Sequence, residues 1–240
     1  MKITKLMAEK AKDNMNNSGV TIAFLGASGT QGCFELYKKS ETEYETVFDK
    51  NCAFHAYVAR IFAVLYPTVP VNIINAGISG DRAPHAYERL ERDVLRYNPD
   101  LVVLSIGLND SGAGINGINE YKEALSKIFK RLNKENIETI FMTPNMANTY
   151  VSYSIKDKDI REVAEIMKKI QTEGVFDLYM DAAREACEEN NVVVCDNYKM
   201  WKRLYENGVD TTELLSNKIN HPTREMNWMP AMLLVDQMFK

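Results

Sequence analysis

Five short apolar runs rich in β-branched residues set the strongest limit on how this chain can fold. They cover residues 20–26, 71–77, 101–107, 138–144 and 192–196, and turn-forming residues bound each of them. Their apolar residues are continuous rather than alternating, which indicates strands covered on both faces. Helical patterns lie between and after them, at 52–66, 82–97, 118–136, 158–171, 174–190 and 228–239. This alternation predicts one parallel sheet with helices on both sides.

The fold class expected from this order is α/β, with a five-stranded parallel central sheet in a three-layer α/β/α sandwich. A chain of 240 residues can form one domain of this kind, so residues 1–240 are predicted to be a single domain. Residues 1–17 carry apolar positions at helical spacing and predict an N-terminal helix. The charged segment 29–51 predicts a long loop after the first strand, which is either solvated or a lid over a site.

Composition excludes several classes of function. A net charge of −4 and a pI near 5.6 give no basic surface for nucleic acid. No apolar segment approaches the roughly 18 residues of a membrane span, and the N-terminus lacks the apolar core of a signal peptide, so a cytoplasmic protein without membrane contact is expected. The four cysteines show no CxxC pair, which favours reduced, packed thiols over disulfides or metal ligands.

Ser28 follows the first apolar run in the sequence TIAFLGASGTQG. A serine at the carboxyl edge of a parallel strand stands where open α/β sheets hold their active sites, although a serine there can equally cap the next helix. The glycines at 26, 29 and 32 have the spacing GxxGxxG, not the GxGxxG of dinucleotide sites, and no GK[ST] follows. The sequence therefore predicts no nucleotide cofactor here.

Three later motifs follow strands or lie in a late loop. Gly80 in ISGD could expose a backbone N–H to a substrate oxygen, and Asn109 in GLND could donate to a developing negative charge. Each turn read alone is better explained by a structural role than by a catalytic one, since Asp and Asn are common in turns. His221 in INHP lies in a predicted loop, and a neutral imidazole is the natural base near pH 7. The histidines lack zinc-ligand spacing, so no metal is predicted.

Ser28, Gly80, Asn109 and His221 occur in the order of the four motif blocks of the SGNH hydrolases, and this chain resembles the GDSL esterase and lipase family from about residue 21 to 221. The resemblance implies a flavodoxin-like fold and a carboxylic ester hydrolase. It implies Ser28 as nucleophile and His221 as base, with an oxyanion hole from the Ser28 N–H, the Gly80 N–H and the Asn109 amide. The implied substrate is a small-molecule ester with a short acyl group, such as acetyl on a carbohydrate.

Two positions depart from that family pattern. Ala27 stands where the family has an aspartate before the serine, and Lys218 occupies the usual position of the triad acid, three residues before the histidine. Lys218 cannot accept a hydrogen bond, so another group must orient His221. The candidates are Asn217, Asp210, Glu213 and a backbone carbonyl, and a carbonyl-supported Ser–His dyad is favoured. A degenerate binding protein and an acyltransferase on the same scaffold remain alternatives.

The segment that opens the last helix offers one further candidate. The large side chains of Met226, Trp228 and Met229 could line an acyl or sugar pocket beside His221. Apolar clusters at the start of a terminal helix more often pack in the core, and that is the expectation here.

Overall fold

The structure is a computed structural model that describes all residues 1–240. Its strands are β1 Val20–Gly26, β2 Cys33–Lys38, β3 Tyr44–Phe48, β4 Val71–Gly77, β5 Leu101–Ser105, β6 Glu138–Met142 and β7 Val193–Cys195. Its helices are α1 Lys2–Lys12, α2 Ser28–Gln31, α3 Phe54–Leu65, α4 Ala83–Glu88, α5 Leu90–Asp93, α6 Ile118–Lys134, α7 Lys158–Thr172, α8 Val175–Glu189, α9 Asn197–Glu206 and α10 Trp228–Met238.

Five strands form the central parallel sheet in the order β4-β1-β5-β6-β7. Counting only these strands along the chain, the order is 2-1-3-4-5, the flavodoxin-like arrangement. The predicted sheet is therefore confirmed. In this arrangement the chain leaves the carboxyl ends of β1 and β5 in opposite directions, which opens a crevice between these neighbouring strands.

Two hydrophobic cores cover the faces of the sheet. On one face, α1, α3 and α10 pack against side chains such as Ile22, Phe24 and Val103. On the other, α4, α6, α8 and α9 pack against Leu25 and its neighbours on β5 and β6. Successive residues of β1 point to opposite cores, which is why its apolar run is continuous. The three-layer sandwich is thus produced directly by strands that are buried on both faces.

The N-terminal half of the chain differs from its sequence prediction in three segments. Residues 29–51 do not form a long loop, because after α2 they fold into an antiparallel hairpin of β2 and β3. The helical pattern at 82–97 is interrupted, since α4 ends at Glu88, α5 ends at Asp93 and a 3-10 turn follows. The N-terminal helix ends at Lys12 rather than running through residue 17.

Helix α9 was absent from the sequence prediction. It begins after Asp196, whose carboxylate accepts a hydrogen bond from the Lys199 N–H and so caps its first turn. Tyr198 and Trp201, one turn apart, are buried. An aspartate cap followed by this spacing was the signal that could have predicted the helix. None of the helices in the fold is both long and apolar enough to cross a membrane.

Candidate active site

Ser28 is the first residue of α2, directly beyond the carboxyl end of β1. The turn is tight, because a Cβ at Gly26 would collide with the Thr30 side chain and the Ser105 carbonyl. The N-cap position belongs to Ala27, and no side chain caps this helix. The Ser28 hydroxyl is therefore free of the capping role that the sequence left open.

The Ser28 hydroxyl instead contacts the imidazole of His221. Ser28 Oγ lies 2.9 Å from Nε2, and Nδ1 lies 2.9 Å from the backbone carbonyl oxygen of Phe34 on β2. A carbonyl can only accept, so the hydrogen-bonding tautomer carries its proton on Nδ1 and leaves Nε2 as an acceptor. In that tautomer Ser28 donates to the atom that can remove its proton.

The backbone of His221 is held on both sides by its own loop. Its N–H donates to Asn217 Oδ1, which also accepts the N–H groups of Ile219 and Asn220. Its carbonyl accepts from the backbone N–H and the hydroxyl of Ser216. Asn217 thus fixes the loop that carries the imidazole and makes no contact with the ring.

Burial sets the protonation state of this histidine. His221 is only 9% exposed, and loss of solvation lowers its pKa, while the Phe34 carbonyl and the charge of Glu35 oppose that shift. Burial disfavours the charged imidazolium, so the neutral base is the form favoured at neutral pH.

The family's usual acid position faces away from this imidazole. Lys218 has a left-handed backbone with φ of 57°, and its ammonium donates to the carbonyl and the carboxylate of Glu213, each at 2.9 Å. Asp210 and Glu213 also accept from the hydroxyl of Tyr150. Neither of the two carboxylates contacts His221, and the Phe34 carbonyl is the group that orients the ring.

Asn109, which follows β5, contacts the turn after β4 that contains Gly80. The Asn109 side-chain amide donates one hydrogen to the Asp81 carbonyl at 2.9 Å, which leaves its second hydrogen for another acceptor. Gly80 has φ of 79°, and a Cβ there would meet no protein atom. The left-handed backbone at this position favours glycine.

A buried arginine holds the turn that contains Gly80. Arg89 donates to the Asp81 carboxylate at 2.7 Å and to the carbonyls of Ala76 and Gly26 at 2.7 and 3.1 Å. It therefore ties the ends of β4 and β1 to the turn between β4 and α4. Asp110 adds a further link, since its carboxylate accepts from the Ala83 N–H at 2.9 Å.

One pocket contains most of the predicted site. Ser28, Asn109 and His221 line it, whereas Gly80 does not. The pocket has a volume of about 60 Å³ and no Asp, Glu, Lys or Arg in its lining; the other polar side chains are mainly amides, from Asn145, Asn197, Asn220 and Asn227. The carboxamide oxygen of Asn197 is buried without a hydrogen-bond partner.

The large side chains near the start of α10 and the remaining histidines lie elsewhere. Met226, Trp228 and Met229 do not line the pocket, and Trp228 packs on the Tyr57 ring with centroids 4.5 Å apart. The imidazole of His55 is in the core, where burial lowers its pKa to about 4. That of His85 is 67% exposed. No group of three or more His, Cys, Asp or Glu side chains is arranged to hold a metal ion.

Comparison with known proteins agrees with this arrangement. A sequence model described as the GDSL-like lipase/acylhydrolase family matches residues 24–229. An acetylxylan esterase from Geobacillus stearothermophilus is 31% identical over 93 residues, which are 39% of this chain and 41% of the relative. The matched stretch is thus less than half of that relative's length. The resemblance predicted from the four sequence motifs is confirmed.

Solved structures with the same fold span nearly the whole chain. A catalytic mutant of an acetylxylan esterase from Geobacillus stearothermophilus superposes with a TM-score of 0.67 at 20% identity, covering 92% of this chain and 94% of that one. A lipase/acylhydrolase from Enterococcus faecalis gives 0.65 at 22% identity, covering 91% and 95%. At these identities the superpositions show the fold.

Proposed function

Because the chain belongs to the GDSL-like lipase/acylhydrolase family, we propose that it is a carboxylic ester hydrolase that works through a Ser28–His221 dyad. The observation that carries this proposal is the 2.9 Å contact between Ser28 Oγ and His221 Nε2 in a pocket at the sheet edge. A serine hydroxyl is a weak nucleophile until an adjacent base removes its proton. A non-catalytic binding protein would have no need of this contact.

Ser28 Oγ attacks the ester carbonyl carbon while His221 Nε2 takes the hydroxyl proton. The resulting oxyanion accepts hydrogen bonds from the free hydrogen of the Asn109 amide and from the N–H groups of Gly80 and Ser28. The C–O bond to the alcohol then breaks, and the imidazolium returns its proton to the leaving oxygen. Water, deprotonated by His221, attacks the acyl-Ser28 carbonyl carbon. The bond from that carbon to Ser28 Oγ then breaks, the imidazolium returns its proton to Oγ, and the carboxylic acid is released.

The proposed substrate is a neutral small molecule that bears a short acyl group, such as an acetylated carbohydrate. A cavity of about 60 Å³ is well below the roughly 150 Å³ in which benzene binds, so two or three acyl carbons fit. No formal charge lines it, and burying an unpaired substrate charge there would be costly. The amide side chains favour a hydroxyl-rich alcohol, and the similar acetylxylan esterases agree with this class.

A fluorophosphonate reagent tests the proposal, because it reacts with activated serines. Intact mass and peptide mapping should show one adduct on Ser28 in the wild type and none in Ser28→Ala. A folded wild type without an adduct would refute the serine mechanism. A series of nitrophenyl esters from acetyl to octanoyl then measures which acyl chain length the enzyme prefers. We expect kcat/KM to be highest for the acetyl ester.

A further inference from the structure

The hairpin that supplies the Phe34 carbonyl is fastened to the loop of His221 by one arginine. Arg224, three residues after the histidine, donates to both oxygens of Glu35, at 2.6 and 3.1 Å, and to the Asp49 carboxylate at 3.1 Å. Glu35 directly follows Phe34 on β2, and Asp49 directly follows β3. The two edges of the hairpin are therefore fixed to the segment that carries the base.

The same guanidinium also covers the side chain of Phe34. Its central carbon lies 4.3 Å from the centre of the Phe34 ring, within the range of a cation–π contact. Arg224 thus holds the residue whose carbonyl meets His221 Nδ1, through the ring of Phe34 and through the neighbouring carboxylate. A shift of β2 along its own axis would break all of these contacts together.

We propose that Glu35 and Arg224 are positioning residues that keep the Phe34 carbonyl in contact with His221 Nδ1. That carbonyl then orients the imidazole, as the triad carboxylate does in the family pattern. This inference rests on the proposed Ser28–His221 mechanism. A backbone carbonyl can orient an imidazole only as well as its own strand is held. Here β2 is held by the two hydrogen bonds of the Arg224–Glu35 ion pair, and such bidentate pairs fix geometry better than single contacts.

The Glu35 carboxylate has a second effect on the same imidazole. It is the charged group that bears on His221, and its negative charge opposes the fall in the pKa of that ring. When the imidazole becomes positive during attack, the nearby negative charge stabilises it. Arg224, the cation at this contact, pairs with both Glu35 and Asp49, and neither Arg224 nor Asp49 forms a hydrogen bond with the ring.

Both residues lie away from the substrate. Neither Glu35 nor Arg224 lines the pocket that contains Ser28, so their loss should act on the chemical step and leave binding unchanged. Their side chains are 23% and 31% exposed. The pair is therefore less screened than the Lys38–Asp159 pair, which joins the same hairpin to α7 and whose aspartate is 52% exposed. That second pair provides a matched control.

The test compares Glu35→Gln, Arg224→Lys and Glu35→Asp with the control Asp159→Asn, using a short nitrophenyl ester. We expect Glu35→Gln and Arg224→Lys to lose about 10- to 100-fold in kcat, as with partners that orient metal-bound histidines, while KM changes less than about twofold. Glu35→Asp should recover part of the loss, and Asp159→Asn should keep wild-type kcat. The acid limb of the rate profile should move to lower pH in Glu35→Gln.

Wild-type kcat and an unmoved pH limb in both Glu35→Gln and Arg224→Lys would overturn the proposal. Equal losses in Asp159→Asn would also overturn it, because hairpin docking in general would then be responsible. Circular dichroism and the melting temperature show that each variant is folded. If the wild type is not labelled at Ser28, the proposed mechanism itself fails, whereas normal labelling with unchanged variants refutes only the positioning role.

Discussion

The contact at His221 Nδ1 determines whether a dyad can replace a triad. In serine proteases an asparagine in place of the acid costs about 10⁴ in kcat, mainly because the imidazole takes the wrong tautomer. In the proposed dyad we expect the Phe34 carbonyl to avoid that loss, since it can only accept and so favours the tautomer with the proton on Nδ1. It carries no formal charge, however, and stabilises the imidazolium less than a carboxylate would.

Asp210→Asn and Glu213→Gln should each leave most of kcat. Both carboxylates lie at the surface and are bound to Tyr150 or Lys218 rather than to the imidazole, so their loss should cost little stability. Steady-state kinetics on a short ester measure this, with His221→Ala as the inactive reference. A fall of about 100-fold in either variant would identify a missing acid and refute the carbonyl-supported dyad.

The chemistry of the site could be predicted only where side chains carry it. The hydroxyl of Ser28, the amide of Asn109 and the imidazole of His221 are readable from the sequence, and the structure places all three in one pocket. Phe34 contacts His221 through its backbone carbonyl. Every residue has such a group, so the amino-acid sequence could not single out this one. Only the absence of an acid at Lys218 indicated that such a group was needed.

At the level of elements, the hydrophobic pattern failed to predict helix boundaries where a single residue makes buried polar contacts. The helical pattern at 82–97 breaks after α4 and α5, and Arg89 between these helices turns inward to bind the Asp81 carboxylate and two strand-end carbonyls. Periodicity cannot reveal such a contact, because an arginine in a helical pattern is normally expected at the surface. The hairpin was missed for a related reason, since its charged turn and exposed strands resemble a loop.

Arg89→Leu should destabilise the fold strongly. It would leave the Asp81 carboxylate, only 5% exposed, without its partner, and losing one member of a buried pair typically costs about 3–5 kcal/mol. Urea unfolding measures the change in the free energy of unfolding. Arg92→Leu is the matched control, because Arg92 is 66% exposed in its pair with Asp93 and should change that free energy by less than about 1 kcal/mol. Equal effects would contradict the bracing role of Arg89.

On the scale of the whole molecule, the order of the sheet brings distant residues together. Because β1 and β5 are neighbours, the segments that follow them meet at one edge, and Ser28 comes close to Asn109. His221 reaches the same edge from a loop 193 positions further along the chain than Ser28. Right-handed crossovers and continuous apolar strands made this arrangement predictable. The packing of the hairpin against the loop of His221 depends on specific ion pairs, and rules of strand order and crossover handedness do not predict it.

The same burial that shapes the site also makes the stability of the molecule depend on pH. Burial lowers the pKa of His55 from 6.5 to about 4, so the stability contributed by this histidine is complete above pH 6.5 and is lost as the pH falls toward 4. His221 acts in the same direction. Burial raises the pKa of Asp110 from 3.8 to about 6. Its effect on stability is opposite to that of the histidines, because the native state favours the protonated carboxyl. The stability it contributes is lost as the pH rises through 6.

Asp110→Asn should therefore make the acid sensitivity of the protein steeper. In the wild type, protonation of Asp110 offsets part of the loss from His55 and His221 as the pH falls from 6.5 to 4. The variant lacks this offset, so its stability relative to the wild type should be greatest at pH 7 and decline toward pH 4 by on the order of 3 kcal/mol. Urea unfolding at pH 7, 5.5 and 4.5 measures the difference. Parallel curves would mean that Asp110 ionises alike in the folded and unfolded chains.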